Sequence, residues 1–129
     1  MRFLKRKSGD DFELVTVNTD NLPSYAILSH TWTDGEEVAY EELVAGTGKN
    51  KAGYDKIRFC GERAAAENLQ YFWVDSCCID KFNMQELQTA INSMFRWYQY
   101  ASKCYVLLEN KPTTISRDET REGNLLAGI

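Results

Sequence analysis

Apolar residues in this chain fall into short unbroken runs separated by two stretches of helical spacing. Met1–Leu4 and Phe12–Val17 flank the polar, glycine-containing segment Lys7–Asp11, which predicts an N-terminal β-hairpin. Residues 18–24 read as a loop. Tyr25–Ser29 (YAILS) shows no polar alternation, as in a strand buried on both faces. Glu36–Val44 predicts a short helix with acids in its first turn, where the helix dipole favours them. Tyr54–Asn68 predicts a second helix. Its face of Ile57, Cys60, Gly61, Ala64 and Ala65 is small enough for close approach to a sheet. Lys56, Arg58, Glu62, Arg63 and Glu67 fall mostly off that face.

Tyr71–Leu108 reads as strand, polar turn, long helix, strand. Tyr71–Val74 is the second buried strand and Asp75–Lys81 the turn. The helix begins near Asn83, where Asn83 with Glu86 matches a capping box. Leu87, Ala90, Ile91, Met94, Tyr98 and Ala101 recur at steps of three and four and form one apolar stripe over about five turns. Cys104–Leu108 is the third buried strand. Alternating strands and helices predict an α/β domain over residues 1–110, with a parallel sheet flanked by helices. Residues 111–129 are charged and turn-rich and are expected to form a polar, poorly ordered tail.

Composition narrows the class. With 129 residues, 43% hydrophobic and 26% charged, the chain can bury the core of one domain. A net charge of −4 and the absence of a basic face argue against nucleic acid as partner. No apolar run reaches the roughly 20 residues of a membrane span, and the N-terminus lacks a signal-peptide core. Cys60, Cys77, Cys78 and Cys104 lie in apolar segments, as buried thiols in a reducing compartment do, so a cytoplasmic protein is expected.

Candidate chemistry gathers after the strands. Ser29, His30 and Trp32 close the first strand, and Asp75 and Ser76 follow the second. Open α/β sheets bind ligands at such strand ends. Trp32 is the tryptophan placed to stack on a planar ligand, against the alternative of packing. Asp75 and Asp80 could orient a ribose or simply end the strand and cap the helix. His30 with Cys77 or Cys78 could form a nucleophilic pair, or the thiols could pack as small hydrophobes. The cysteine spacing does not match a zinc site. Gly46–Lys49 lacks the spacing of a phosphate-binding loop. The capping box accounts for Glu86 structurally.

Tyr25–Trp32 (YAILSHTW) resembles the first motif of the fungal heterokaryon-incompatibility (HET) domain. Tyr71–Asp80 (YFWVDSCCID), with the following E-L-x-x-A-I-N-S-M and W-Y-x-x-A-x-x-C-Y, is similar to its second. Lys56–Cys60, with Ala64 and Leu69, fits the helix between them. The resemblance covers about residues 1–110 and implies non-self recognition ending in programmed cell death. HET domains look in turn like relatives of the TIR fold, whose members self-associate and in some cases cleave NAD⁺ with a helix-borne glutamate. Ser29, His30, Trp32, Asp75 and Ser76 would then rim a nucleotide pocket. The partners implied are a second copy or other HET or TIR-like proteins. No cofactor is required, and NAD⁺ is the substrate or ligand the resemblance allows. Two departures stand out. Thr33 replaces the family's glycine after H-T-W, and the third motif, R-G-W-T-x-Q-E-L, has no counterpart in ISRDETREGNLLAGI. The catalytic residue is therefore unassigned. Cleavage would need a glutamate from the tail, such as Glu119 or Glu122, or from a partner chain. The chain is expected to be incomplete relative to the family, with a sheet edge or helix face left open for association, and a non-functional fragment is the third reading.

Overall fold

A computed structural model describes residues 1–9, 11–108 and 111–115. The elements run β1 (Arg2–Ser8), β2 (Asp11–Thr16), β3 (Tyr25–His30), α1 (Tyr40–Ala45), α2 (Ala52–Ala66), β4 (Tyr71–Trp73), α3 (Met84–Tyr100), β5 (Lys103–Leu108) and β6 (Lys111–Ile115). A 3₁₀ turn at Thr19–Asn21 links β2 to β3, with the Asn18 side chain accepting from the Asp20 amide.

The strands form one six-stranded sheet in the order β2-β1-β4-β3-β5-β6. Only its centre matches the expected parallel sheet: β3 runs parallel to β4 and to β5. The sheet as a whole is mixed. The predicted hairpin forms and attaches antiparallel to β4, with Leu4 opposite Phe72. β6 pairs antiparallel to β5, with Ile115 opposite Cys104, and is the outer strand on that side. The first five residues of the expected tail are thus a strand. The rest of that tail, with Glu119, Glu122 and the apolar end, lies outside the described residues.

The two long helices cover opposite faces. Phe72 and Trp73 are adjacent in β4, so their side chains point to opposite sides. Phe72 and Phe12 meet α2 at Gly61, where an added Cβ would lie 2.7 Å from the Phe12 ring. Trp73 meets Trp97 and Tyr98 of α3 edge-on, with ring centroids 5.4 and 6.5 Å apart. Glycine at position 61 lets α2 sit against these rings.

α2 seats Ile57, Cys60, Gly61 and Ala64 as expected, but Ala65 is exposed and Lys56 is buried. α3 differs more. Ala90 and Tyr98 are its buried residues, Leu87 and Met94 pack partly, and Ile91, expected in the core stripe, is exposed. Its start follows the sequence only in part. Asn83 is the N-cap and its side chain accepts from the Glu86 amide at 3.1 Å. The Glu86 carboxylate does not close the box; it accepts from the Asp80 amide at 2.7 Å and pairs with Arg2. Burial raises the Glu86 carboxyl, but hydrogen bonds from Arg2 and Asp80 outweigh it and hold the group below its usual range. Glu86 therefore ties the turn, the helix and the hairpin together. α1 begins at Tyr40, four residues later than Glu36, and ends at Gly46, whose φ of 77° suits a left-handed cap. No helix of the described residues is long and apolar enough to cross a membrane.

Candidate functional site

The parallel strands β4, β3 and β5 stand in the order 2-1-3 by chain position. The chain therefore reverses direction of travel between β3 and β5, and doubly wound sheets place their ligand crevice outside the strand ends at such a point. His30 is the last residue of β3, and Asp75 follows β4 by two residues.

These two residues meet. His30 Nε2 lies 2.8 Å from Asp75 Oδ1. Trp32 Nε1 donates to the same carboxylate, 3.2 Å from Oδ1 and 3.0 Å from Oδ2. Asp75 thus clasps His30, which ends β3, and Trp32, which follows it. Three of the five expected pocket residues, His30, Trp32 and Asp75, come together. Ser29 and Ser76 do not join them. Strand alternation turns Ser29 to the α3 face, where it bonds the Tyr98 hydroxyl. Ser76 is buried.

The other side of His30 is charged. Its Nδ1 lies 3.5 Å from Lys56 Nζ and 3.6 Å from Glu37 Oε1. Lys56 Nζ donates to Glu37 Oε2 at 2.8 Å and to the Thr31 carbonyl at 2.6 Å. The Lys56 and Glu37 side chains are 4% and 7% exposed, which makes this a desolvated ion pair. Glu37 Oε2 also accepts from the Thr33 amide at 2.8 Å, which folds the loop after H-T-W back over the pair. Thr33, where the family has glycine, thus serves through its backbone. With Nε2–H donated to Asp75, neutral His30 offers Nδ1 to the Lys56 ammonium.

Trp32 is 47% exposed, yet its ring is not bare. Lys81 Nζ sits 4.5 Å from the ring centroid, and the His30 ring lies alongside at 6.0 Å with a 24° interplanar angle. Lys81 donates to the carbonyls of Asp75 (2.7 Å) and Ser76 (3.3 Å). Burial pulls its ammonium below the usual lysine range. A planar ligand stacking on Trp32 would meet Lys81. Asp80 lies apart from the clasp; its carboxylate accepts from the Phe82 amide at 3.1 Å.

The nucleophile pair does not form. Both His30 nitrogens face charged groups, and the neighbours of Cys77 and Cys78 are backbone atoms of Val74. Burial pushes the Cys77 thiol well up, away from thiolate chemistry. Among the described residues, no group of three or more His, Cys, Asp and Glu side chains is placed to hold a metal ion. Gly46–Lys49 is not a phosphate cradle either: Lys49 is tied to Asp11 across the surface.

Sequence reasoning missed Lys56, Glu37 and Lys81. For Lys56 a signal existed. It lies on a helical line with Gly53 and Cys60, at i−3 and i+4, so its position faces the core. Glu37 and Lys81 carry no such mark, because each reaches the site through a loop.

No solved structure matches the chain. The vegetative incompatibility protein HET-E-1 of Podospora anserina is 51% identical over 115 residues, which is 88% of this chain and 8% of that protein. The chain thus spans less than a tenth of that relative's length. The family model described as heterokaryon incompatibility protein (HET) matches residues 25–125, which takes in β3, α2, β4, α3 and the whole strand-end clasp. The chain belongs to the heterokaryon incompatibility (HET) family.

Proposed function

We propose that this protein acts in the cytoplasm in fungal non-self recognition, through self-association or association with other HET proteins, with cell death as the output. The reading is supported by family membership and by likeness to a vegetative incompatibility protein. The observation that carries it to named residues is the strand-end cluster of His30, Asp75, Lys56 and Glu37. A desolvated charge network costs stability and gives the fold little in return. Its place at the strand ends, beside the exposed Trp32, is where a signalling ligand or partner would be read. The test is induced expression in a filamentous fungus, scored by growth arrest and dye uptake. Wild type should kill. Asp75→Asn should abolish killing while the purified variant keeps its circular dichroism spectrum. A folded Asp75→Asn protein that kills as well as wild type would sink this assignment.

A second reading is favoured by the reversal between β3 and β5, the arrangement that binds nucleotides in doubly wound sheets. Here the domain is TIR-like and cleaves NAD⁺. Glu37 is held by Lys56 and Thr33, so the reading takes its glutamate from the segment after Ile115 or from a partner chain. Release of nicotinamide from NAD⁺ by the purified chain, lost in Asp75→Asn, supports it. No release at high enzyme concentration, with and without a longer HET protein, removes it.

A further inference from the structure

Arg2 and Thr16 of the hairpin face α3 across a cleft of about 360 Å³. Trp73, Trp97, Ile79 and Ala90 form its apolar wall, and the exposed Gln85 and Thr89 stand on its rim. That volume lies at the lower end of the range for small-molecule sites. The cleft shares no residue with the His30–Asp75 cluster, although residues 75–81 serve both. Cys78 and Ile79 line the cleft, while Asp75 and Lys81 belong to the strand ends.

Two features of the wall point to a ligand. The first is a donor without an acceptor. Trp73 is 1% exposed, and its indole N–H can only donate. It makes no hydrogen bond among the described residues. Trp97 and Tyr98, which meet it edge-on, offer ring faces, and these are weak acceptors at most. A buried tryptophan usually gives its N–H a partner, because a bare one forfeits the bond it made with water. The Trp73 N–H is not among the sealed nitrogens that lack a partner. It therefore opens on free space, and the free space its ring borders is the cleft.

The second feature is charge. Arg2 and Glu86, the charged side chains of the wall, hold each other, and Arg2 also lies over the Tyr40 ring at 4.6 Å. An ionic ligand would have to break that pair. The polar groups that remain, such as Gln85 and Thr89, are neutral.

We propose that this cleft binds a small, neutral, planar aromatic molecule that presents a lone pair, on a ring nitrogen or a carbonyl oxygen, to the Trp73 N–H. The ring of the ligand lies against Trp97, Ile79 and Ala90, and its outer edge meets Gln85 and Thr89. The site stands apart from the strand-end reading and does not depend on it.

Three probes of similar size test the assignment. Quinoline is neutral and carries a ring lone pair. Indole carries a donor and no lone pair in the ring plane. N-methylquinolinium replaces the lone pair with a methyl group and a charge. Each is titrated into the isotopically labelled full chain while the indole N–H signals of Trp32, Trp73 and Trp97 are followed by NMR, assigned with Trp32→Phe and Trp97→Phe chains. Quinoline should move the Trp73 signal saturably. Indole and N-methylquinolinium should bind about fivefold more weakly, or worse. Trp73→Phe, which removes the donor and keeps an aromatic ring, should weaken quinoline about fivefold and leave indole unchanged. Quinoline that moves no indole signal, or only that of Trp32, overturns the proposal. So does indole that binds as tightly as quinoline, or a folded Trp73→Phe chain that binds quinoline as well as wild type. Should Trp73→Phe fail to fold, the ranking of the three probes on the wild-type chain decides.

Discussion

The two faces of the sheet break opposite rules. The α2 face buries a charge, and the α3 face exposes hydrophobes. α2 lies close against β3 and β4 because Gly61 admits the Phe12 and Phe72 rings, and within that contact it seals Lys56 against Glu37 and His30. α3 touches the sheet through Ala90, Trp97 and Tyr98 and is pinned by the Tyr98 hydroxyl donating to the Leu28 carbonyl at 3.1 Å. Its next stripe, Met84, Ile91 and Phe95, is exposed. A buried charge costs desolvation, and an exposed apolar stripe forgoes burial. Neither serves the stability of a lone domain.

That contrast can be broken experimentally. Lys56→Met should have the largest effect, a loss of about 3–5 kcal/mol in urea denaturation, because it leaves the Glu37 carboxylate buried and unpaired. Adding Glu37→Leu should recover most of that loss. If it does not, the ion pair is a stabilising part of the core and the α2 face breaks no rule. Gly61→Ala comes next, at about 1–3 kcal/mol, since its Cβ would overlap the Phe12 ring. On the α3 side the effects should be smaller. Asn83→Ala removes the cap and should cost about 1 kcal/mol in the same assay.

Acid sensitivity follows Glu86. Its carboxyl is held below the usual range when folded, so its contribution is fully present above the unfolded value of about 4.3. That contribution falls away as the pH drops through the lower folded value. Glu86→Gln should flatten the acid limb of thermal melts recorded from neutral pH downward. The change at neutral pH should be about 1 kcal/mol or less, because the Arg2 pair is partly exposed. Smallest of all, Ile91→Ala should alter the stability of the monomer by no more than about 0.5 kcal/mol. A loss several times larger would show that the stripe is covered, and the comparison of the two faces would fail.

Much of the architecture was legible along the chain. The apolar runs of β3, β4 and β5 are too continuous to be anything but buried strands, and Gly61 and Ala64 mark the face of α2. Asn83 announced the start of α3. The clasp was half visible, because His30, Trp32 and Asp75 each stand at the end of a buried strand, where polar residues have few structural duties. Lys56 was misplaced because a lysine near a helix face reads as solvated unless its partners are known. Ile91 was misplaced because periodicity shows which residues share a side of a helix, not how wide an arc the sheet covers.

What the sequence determined by itself is therefore local. It set the strand runs, the helix periods, the cap and the turn residues, each of which depends on neighbours within a few positions. What only the tertiary structure decided is which distant groups meet. It joined the hairpin to β4 and added β6 beside β5. It brought Glu37 and Lys56 to His30, across separations of 7 and 26 residues. It turned Ser29 and Ser76 away from the site. Charges that pair through space, and strands that pair through register, leave no periodic trace in the chain, because the energy of each depends on a partner whose position the fold alone supplies.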